Sequence, residues 1–279
     1  MNLFKIKKIK DGLHLFQEKI KVTKESYLDI LKEVKSRDYS KFYKDLEKEY
    51  NVNIKDFEEE IHQIALYGQI QIKTSSKIMY LHGFVVYSAL TKYIKDNPKI
   101  EYYNILETGT ARGYSTLCLA KALYDSKVKG KIYTIESIVP HNIKMYWNCF
   151  GDFEYGMTTR EELFQKWKHL FPFIEFKFGD SKKILSKELD NIDRFHFSFL
   201  DAQHDYDYLS YEMNWVNKKQ NPGDIIVCDD YTFLNKGGNQ YPGIIKGVDE
   251  FIKNNNSKHK IFYGEDGVKK RGYVVVKKT

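Results

Sequence analysis

From about residue 77 onward the chain alternates between helical and strand-like segments, and this alternation limits its fold more than any other feature. Apolar residues at helical spacing over 77–95 give way to a strand at 103–107, a helix at 113–124 and a strand at 131–135. Strands at 174–178, 195–200 and 224–228 follow, with helices near 160–169, 207–219 and 243–254. Two closing β-rich pieces, Lys260–Tyr263 and Gly272–Lys277, are split by a turn over 264–267. Strands separated by helices pair through crossovers rather than hairpins, which predicts a sheet with helices on both faces. The expected class is α/β: a seven-stranded, mostly parallel sheet whose linked final pair makes one edge strand, the last, antiparallel.

Residues 1–74 differ in texture. Leu3–Ile9 and Leu13–Ile20 flank Asp11-Gly12, a dipeptide suited to a tight hairpin turn. Helical segments near 25–36, 40–49 and 54–67 follow, rich in Glu and Lys, with Phe57, Ile61 and Ala65 at helical spacing. No chemical motif stands out there. The chain therefore divides into a mainly helical cap or oligomerisation region, 1–74, and a main domain, 75–279, and a homo-oligomer is a candidate assembly.

Composition narrows the partners. With 42% hydrophobic residues in 279, the chain can bury a sizeable core. The net charge of +7 comes from 45 basic residues scattered among 38 acidic ones, with no run of five bases, so nucleic acid is not the expected partner. Cys118, Cys149 and Cys228 are odd in number and widely spaced, which suits free thiols in a reducing, cytoplasmic setting. The opening MNLFKIKKIKDG lacks the apolar stretch of a signal peptide. The longest quasi-apolar run, Ile78–Leu90, contains His82 and is too short to cross a bilayer, so no membrane is expected.

The stretch from Glu136 to Phe173 is longer than one crossover needs. It holds Pro140, Trp147, Phe150, Tyr155 and Trp167, and Thr159 with Glu162 forms a capping-box pattern. It is either a wall of the substrate site or an insertion packed on itself.

The segment with the strongest chemical content is Asn104-Ile-Leu-Glu-Thr-Gly-Thr-Ala-Arg-Gly-Tyr-Ser-Thr-Leu117. A buried strand ends in Glu107, a turn carries Gly109 and Gly113, and a helix follows. Glycines let backbone pass close to a ligand, and the helix N-terminus offers free N–H groups. The G-x-x-x-G spacing is neither a dinucleotide fingerprint nor a P-loop. A carboxylate before it suits a cationic amino-acid group rather than a pyrophosphate. Glu136 ends the next strand, where it can grip two ribose hydroxyls or stand as a solvated charge. Asp180, in Phe178-Gly179-Asp180-Ser181, can accept from an adenine amino group or cap a helix.

Together these strand ends resemble the class I S-adenosylmethionine-dependent methyltransferases, over about 200 residues, and the first block is similar to the opening motif of small-molecule O-methyltransferases. The resemblance implies a Rossmann-like sheet. It also implies S-adenosylmethionine binding by Glu107, Gly109, Thr110, Ala111, Arg112, Gly113, Ser115, Glu136, Ser137, Asp180, Ser181 and Asp201. Phe199-Leu-Asp-Ala-Gln-His-Asp-Tyr-Asp-Tyr-Leu209 resembles the segment after the fourth strand of catechol and caffeoyl-CoA O-methyltransferases, and Cys228-Asp-Asp-Tyr231 resembles their second metal-binding block and that of macrocin-type sugar O-methyltransferases. Asp201, Asp229 and Asp230 thus map onto a metal triad. Position 204 departs from the catechol-type pattern, carrying His where those enzymes have a catalytic Lys.

Hard carboxylate oxygens suit Mg²⁺, Ca²⁺ or Mn²⁺, which could hold vicinal hydroxyls and lower the pKa of one. Alternatively, Asp201 and Asp229 merely end strands. His204 with Asp201 forms the expected catalytic pair, His204 serving as general base or orienting the acceptor hydroxyl; its bland alternatives are a helix cap or a contact to the adenine edge. The resulting expectation is O-methylation of a hydroxylated small molecule or sugar. A non-methyltransferase, oxidation-type enzyme and an N-methyltransferase on the same scaffold remain the alternatives.

Overall fold

Thr23 begins the first helix of the computed structural model by accepting the Ser26 amide, and α1 runs Lys24–Ser36. The model describes residues 22–71, 79–201, 203–265 and 269–279; the hairpin expected around Asp11-Gly12 lies outside them, as does half of the turn over 264–267. Helix α2 (Ser40–Tyr50) ends at Asn51, whose left-handed φ of 50° stops it. The helix expected over 54–67 is divided, because Phe57 takes a non-helical φ of −135° between a 3-10 turn at Ile54–Asp56 and α3 (Glu58–Gly68). Three glutamates in the first turn of α3 complement its dipole. Helix α4 spans His82–Asp96.

The sheet then builds as β1 (Tyr103–Thr108), α5 (Tyr114–Asp125), β2 (Gly130–Glu136) and, past the insertion, β3 (Ile174–Phe178). Within the insertion lie the short α6 (Gly151–Tyr155) and α7 (Arg160–Leu163). The long helix expected at 160–169 becomes one α turn followed by a 3-10 stretch, Gln165–Phe173, kinked at Trp167 and containing Pro172. The second half follows with α8 (Ser181–Lys187), β4 (Phe197–Leu200), α9 (Tyr206–Lys218), β5 (Ile225–Leu234), α10 (Pro242–Asn255), β6 (Lys258–Glu265) and β7 (Lys269–Lys277). Helix α8 carries too few residues for a periodic signal, and only its Asp180 cap marked it in the sequence.

Strand order is β3-β2-β1-β4-β5-β7-β6. Strands β1 to β5 are parallel, and β7 runs antiparallel to both β5 and β6. This is the expected Rossmann-like seven-stranded sheet. The antiparallel strand is the last, but it is not at the edge. Tyr273–Val276 of β7 are all buried, whereas Lys258, His259 and Lys260 of β6 are exposed, so β7 takes the inner place and the lysine-bearing β6 the edge.

Alternation along the strands splits the core in two. Ile105, Phe197, Phe199, Val227 and Tyr273 face α4, α5 and the N-terminal helices, where Phe42 meets Phe262 and Tyr273 edge-on. Leu106, Ile226, Cys228, Val274 and Val276 face α8, α9 and α10. Because β1 connects outward to β2 while β4 lies on its other side, the C-terminal ends of β1 and β4 form a topological switch point, the place where such sheets bind ligands.

Candidate active site

A cleft of about 450 Å³ opens at that switch point. Its first half is set by the β1–α5 loop. Gly109 (φ 94°) and Gly113 (φ 104°) adopt left-handed backbone that a side chain would strain, and Gly113 also packs on the Arg160 stem. Amides of Gly109 and Thr110 donate to the Ile135 carbonyl, extending the β1–β2 ladder into the loop. Ala111 is left-handed as well (φ 47°), and its amide donates to Glu136 Oε2 at 2.8 Å while Ile138 N–H donates to Oε1 at 2.6 Å. Each Glu136 oxygen has a further lone pair, and the residue lines the cleft.

Glu107 is placed differently from the cleft-facing residues. It is fully buried beneath the loop and accepts from Ser115 (2.5 Å), Thr116 (2.5 Å) and Thr134 (2.6 Å). Burial pushes its carboxyl up, against the pull of those hydroxyls. Gly109, Ala111, Arg112, Glu136, Ser137, Asp180, Ser181 and Asp201 line the cleft, whereas Glu107, Thr110, Gly113 and Ser115 form the layer that supports it. Asp180 caps α8 and its Oδ2 accepts from Tyr208 at 2.7 Å.

A second buried carboxylate mirrors Glu107 on the other face of the sheet. Glu212 of α9 accepts from Ser181 (2.5 Å) and Thr108 (2.9 Å), joining the end of β1 to the start of α8, and burial pushes it up to about 7. Sequence reasoning missed it. Its signal was a Glu inside the apolar stripe Leu209, Met213, Val216 of one helix.

At the other half, Asp201 follows β4, its amide donating to Thr108 O at 2.9 Å. Strand β5 does not stop at 228. It continues through a bulge in which Asp229 and Asp230 together oppose Tyr273, with Asp230 left-handed at φ 60°. The bulge gives adjacent aspartates different surroundings. Asp229 turns inward onto Arg271, held bidentate at 2.8 and 2.5 Å, with His82 Nδ1 at 3.6 Å. Asp230 faces the cleft, 3.1 Å from Arg271 and 2.9 Å from His204 Nε2. Asp201 Oδ1 lies 3.7 Å from the same imidazole nitrogen.

Of the three expected metal ligands, Asp201 and Asp230 thus converge while Asp229 is set apart. Among the described residues, Asp201, His204 and Asp230 offer ligand atoms within 4.8 Å of one another. Two hard oxygens and an imidazole fit a divalent ion, and the nitrogen moves the preference from Mg²⁺ or Ca²⁺ toward Mn²⁺. Asp201 and Asp230 hold His204 as a cation, pushing it up to about 10. Burial and then the Asp229 charge push Asp201 upward. Burial works in that direction on Asp230 too, but Arg271 and His204 outweigh it and draw it down. His204 does not cap α9, since Asp205 does, accepting the Tyr208 amide at 2.9 Å. Arg271 was not singled out in the sequence, where it sits in a basic run with no marked partner.

Residues 106–231 match the family model described as a methyltransferase domain. That stretch is similar to methyltransferase domains. Among solved structures, an O-methyltransferase from Bacillus cereus in complex with SAH is similar at a TM-score of 0.51 and 17% identity, over 85% of this chain and 96% of that one. The O-methyltransferase TomG from Streptomyces achromogenes, involved in tomaymycin synthesis and in complex with SAM, gives a TM-score of 0.48 and 19% identity over 74% and 82%. At such identities the likeness concerns the fold. No curated protein matches the chain. No helix among the described residues is long and apolar enough to cross a membrane.

Proposed function

We propose that the protein transfers a methyl group from S-adenosylmethionine to a hydroxyl of a polyhydroxylated, sugar-like small molecule. The observation that carries this reading is the single cleft at the β1/β4 switch point, with a glycine loop and Glu136 at one end and the Asp201–His204–Asp230 cluster at the other. The loop end suits the cofactor: Glu136 offers its remaining lone pairs to the ribose hydroxyls, and Asp180 and Ser181 border the adenine position.

The far end argues for a polar acceptor. Gln203, Gln240 and Tyr241 line the cleft with that cluster, and Gln69 and Gln71, just past α3, line it as well. Amides that both donate and accept match vicinal hydroxyls, while a flat aromatic acceptor would find Tyr241 as its main ring surface among the described residues. A divalent ion held by Asp201 and Asp230, with His204 Nε2 left unligated, would polarise the acceptor hydroxyl and lower its pKa. His204 owes its raised pKa to Asp201 and Asp230, so whatever neutralises those carboxylates returns the imidazole toward about 6.5 and makes Nε2 a proton acceptor. Tyr241, 4.6 Å from the imidazole ring centre, helps fix its orientation. The hydroxyl oxygen then attacks the cofactor's methyl carbon in line, the C–S bond breaks, and S-adenosylhomocysteine leaves.

The test combines calorimetry with SAM and SAH and a label-transfer assay over hydroxylated metabolites, with and without a chelator and added Mn²⁺ or Mg²⁺. Binding of both ligands and label on a saccharide supports the reading. Binding of NAD or ATP instead, or label on catechols only, overturns it.

A further inference from the structure

The insertion between β2 and β3 is neither packed only on itself nor simply a wall. Two arginines join it to the glycine loop in opposite directions. Arg112 of the loop donates through Nε to Trp147 O of the insertion at 2.7 Å. Arg160 of the insertion donates through Nε and Nη2 to Ala111 O of the loop, at 2.9 and 2.6 Å, and through Nη2 to Val139 O at 3.2 Å.

Arg160 is costly to place there. It is 1% exposed, no carboxylate lies within ion-pair distance among the described residues, and its Nη1 has no hydrogen-bond partner. It is sandwiched by Trp147 and Phe176, 5.2 and 5.7 Å from its guanidinium carbon. The Glu136 and Glu107 charges favour the cation without pairing with it directly, and burial outweighs them, so a residue serving only to fill space would be apolar. Two of its donors converge on one carbonyl, that of the left-handed Ala111, whose amide is held from the other side by Glu136. Non-glycine residues disfavour that conformation, so it persists only where its surroundings impose it.

We propose that Arg160 is the positioning residue of the cofactor site: from the insertion, it holds Ala111 in the backbone conformation that the loop needs to receive the cofactor. This rests on the cofactor reading above. Losing a preorganising contact weakens binding of the ligand that uses it without altering the chemical step.

The experiment uses the full chain and reads SAH affinity by calorimetry, the KM for SAM, kcat at saturating SAM and the melting temperature. Arg160→Met should raise the SAH Kd and the KM for SAM about 10-fold and leave kcat within about 2-fold. Arg160→Lys, which can reach Ala111 O with one donor, should fall between. Adding Ala111→Gly to Arg160→Met removes the backbone penalty and should recover part of the lost affinity, a rescue that a packing defect would not give. Unchanged SAH affinity in a folded Arg160→Met, or a fall in stability with no rescue by Ala111→Gly, overturns the proposal. Wild-type protein that binds neither SAM nor SAH overturns the underlying cofactor reading instead.

Discussion

At the β1–β2 end of the cleft the carboxylates are held by hydroxyls and backbone amides; at the β4–β5–β7 end they are held by charged side chains. Glu107, Glu136 and Glu212 accept from Ser, Thr and main-chain N–H groups. Asp201, Asp229 and Asp230 face His204 and Arg271. The first arrangement fixes a shape, its neutral donors already spent on the carboxylates. The second stores strong electrostatic interactions in one place, where a change in one charge alters its neighbours. That difference suits a half that only binds and a half that must move a proton.

The largest effect should come from removing the central cation of the charged half. Arg271→Leu leaves Asp229 buried without its partner and should cost about 3–5 kcal/mol of stability. The double variant Arg271→Leu/Asp229→Leu should recover most of it. Equal urea midpoints for Arg271→Leu and wild type would remove the contrast between the halves.

Glu212 tests the hydroxyl-held half by pH. Its folded value, about 7, lies above its ordinary 4.5, so its contribution to stability is fully present below about 4.5 and is lost as pH rises through 7. Glu212→Gln should therefore match wild type near pH 4.5 and exceed it by about 3 kcal/mol at pH 8. A constant difference across that range would mean that burial does not keep Glu212 protonated.

Two activity measurements separate the halves further. His204→Ala should lower turnover about 100-fold with SAH affinity kept within about 2-fold. Glu136→Ala should do the reverse, weakening SAH about 10-fold while kcat at saturating SAM stays near wild type. Parallel losses in both parameters for both variants would merge the two halves into one.

Much of the fold was legible because it depends on local periodicity. The β3 bounds matched, and β1, β2, α5 and α9 fell within a residue or two of their expected limits. What failed was short or context-dependent: α8 has too few residues to show a period, and β5 runs on past 228 because its partner β7 continues to pair beyond the bulge. The residues named for the cofactor were legible as a group, but their division into lining and supporting layers was not. Glu107 and Glu136 both end parallel strands in the sequence. Only strand register and the hydroxyls of Ser115, Thr116 and Thr134 draw the first beneath the loop, while the second faces the cleft.

The sequence by itself determined the alternating elements, the glycine turn and the carboxylates at successive strand ends, since each follows from the spacing of a few neighbouring residues. Tertiary structure decided which carboxylates meet. Asp229 and Asp230 are adjacent in the chain, and alternation alone would put them on opposite faces. The bulge lets both reach Arg271, and Arg271 arrives because β7 inserts between β5 and β6. Likewise Arg160 meets Ala111 across 49 positions of sequence. Interaction at a few ångströms depends on position in space, and for residues this far apart in the chain only the packing of the sheet and insertion supplies it.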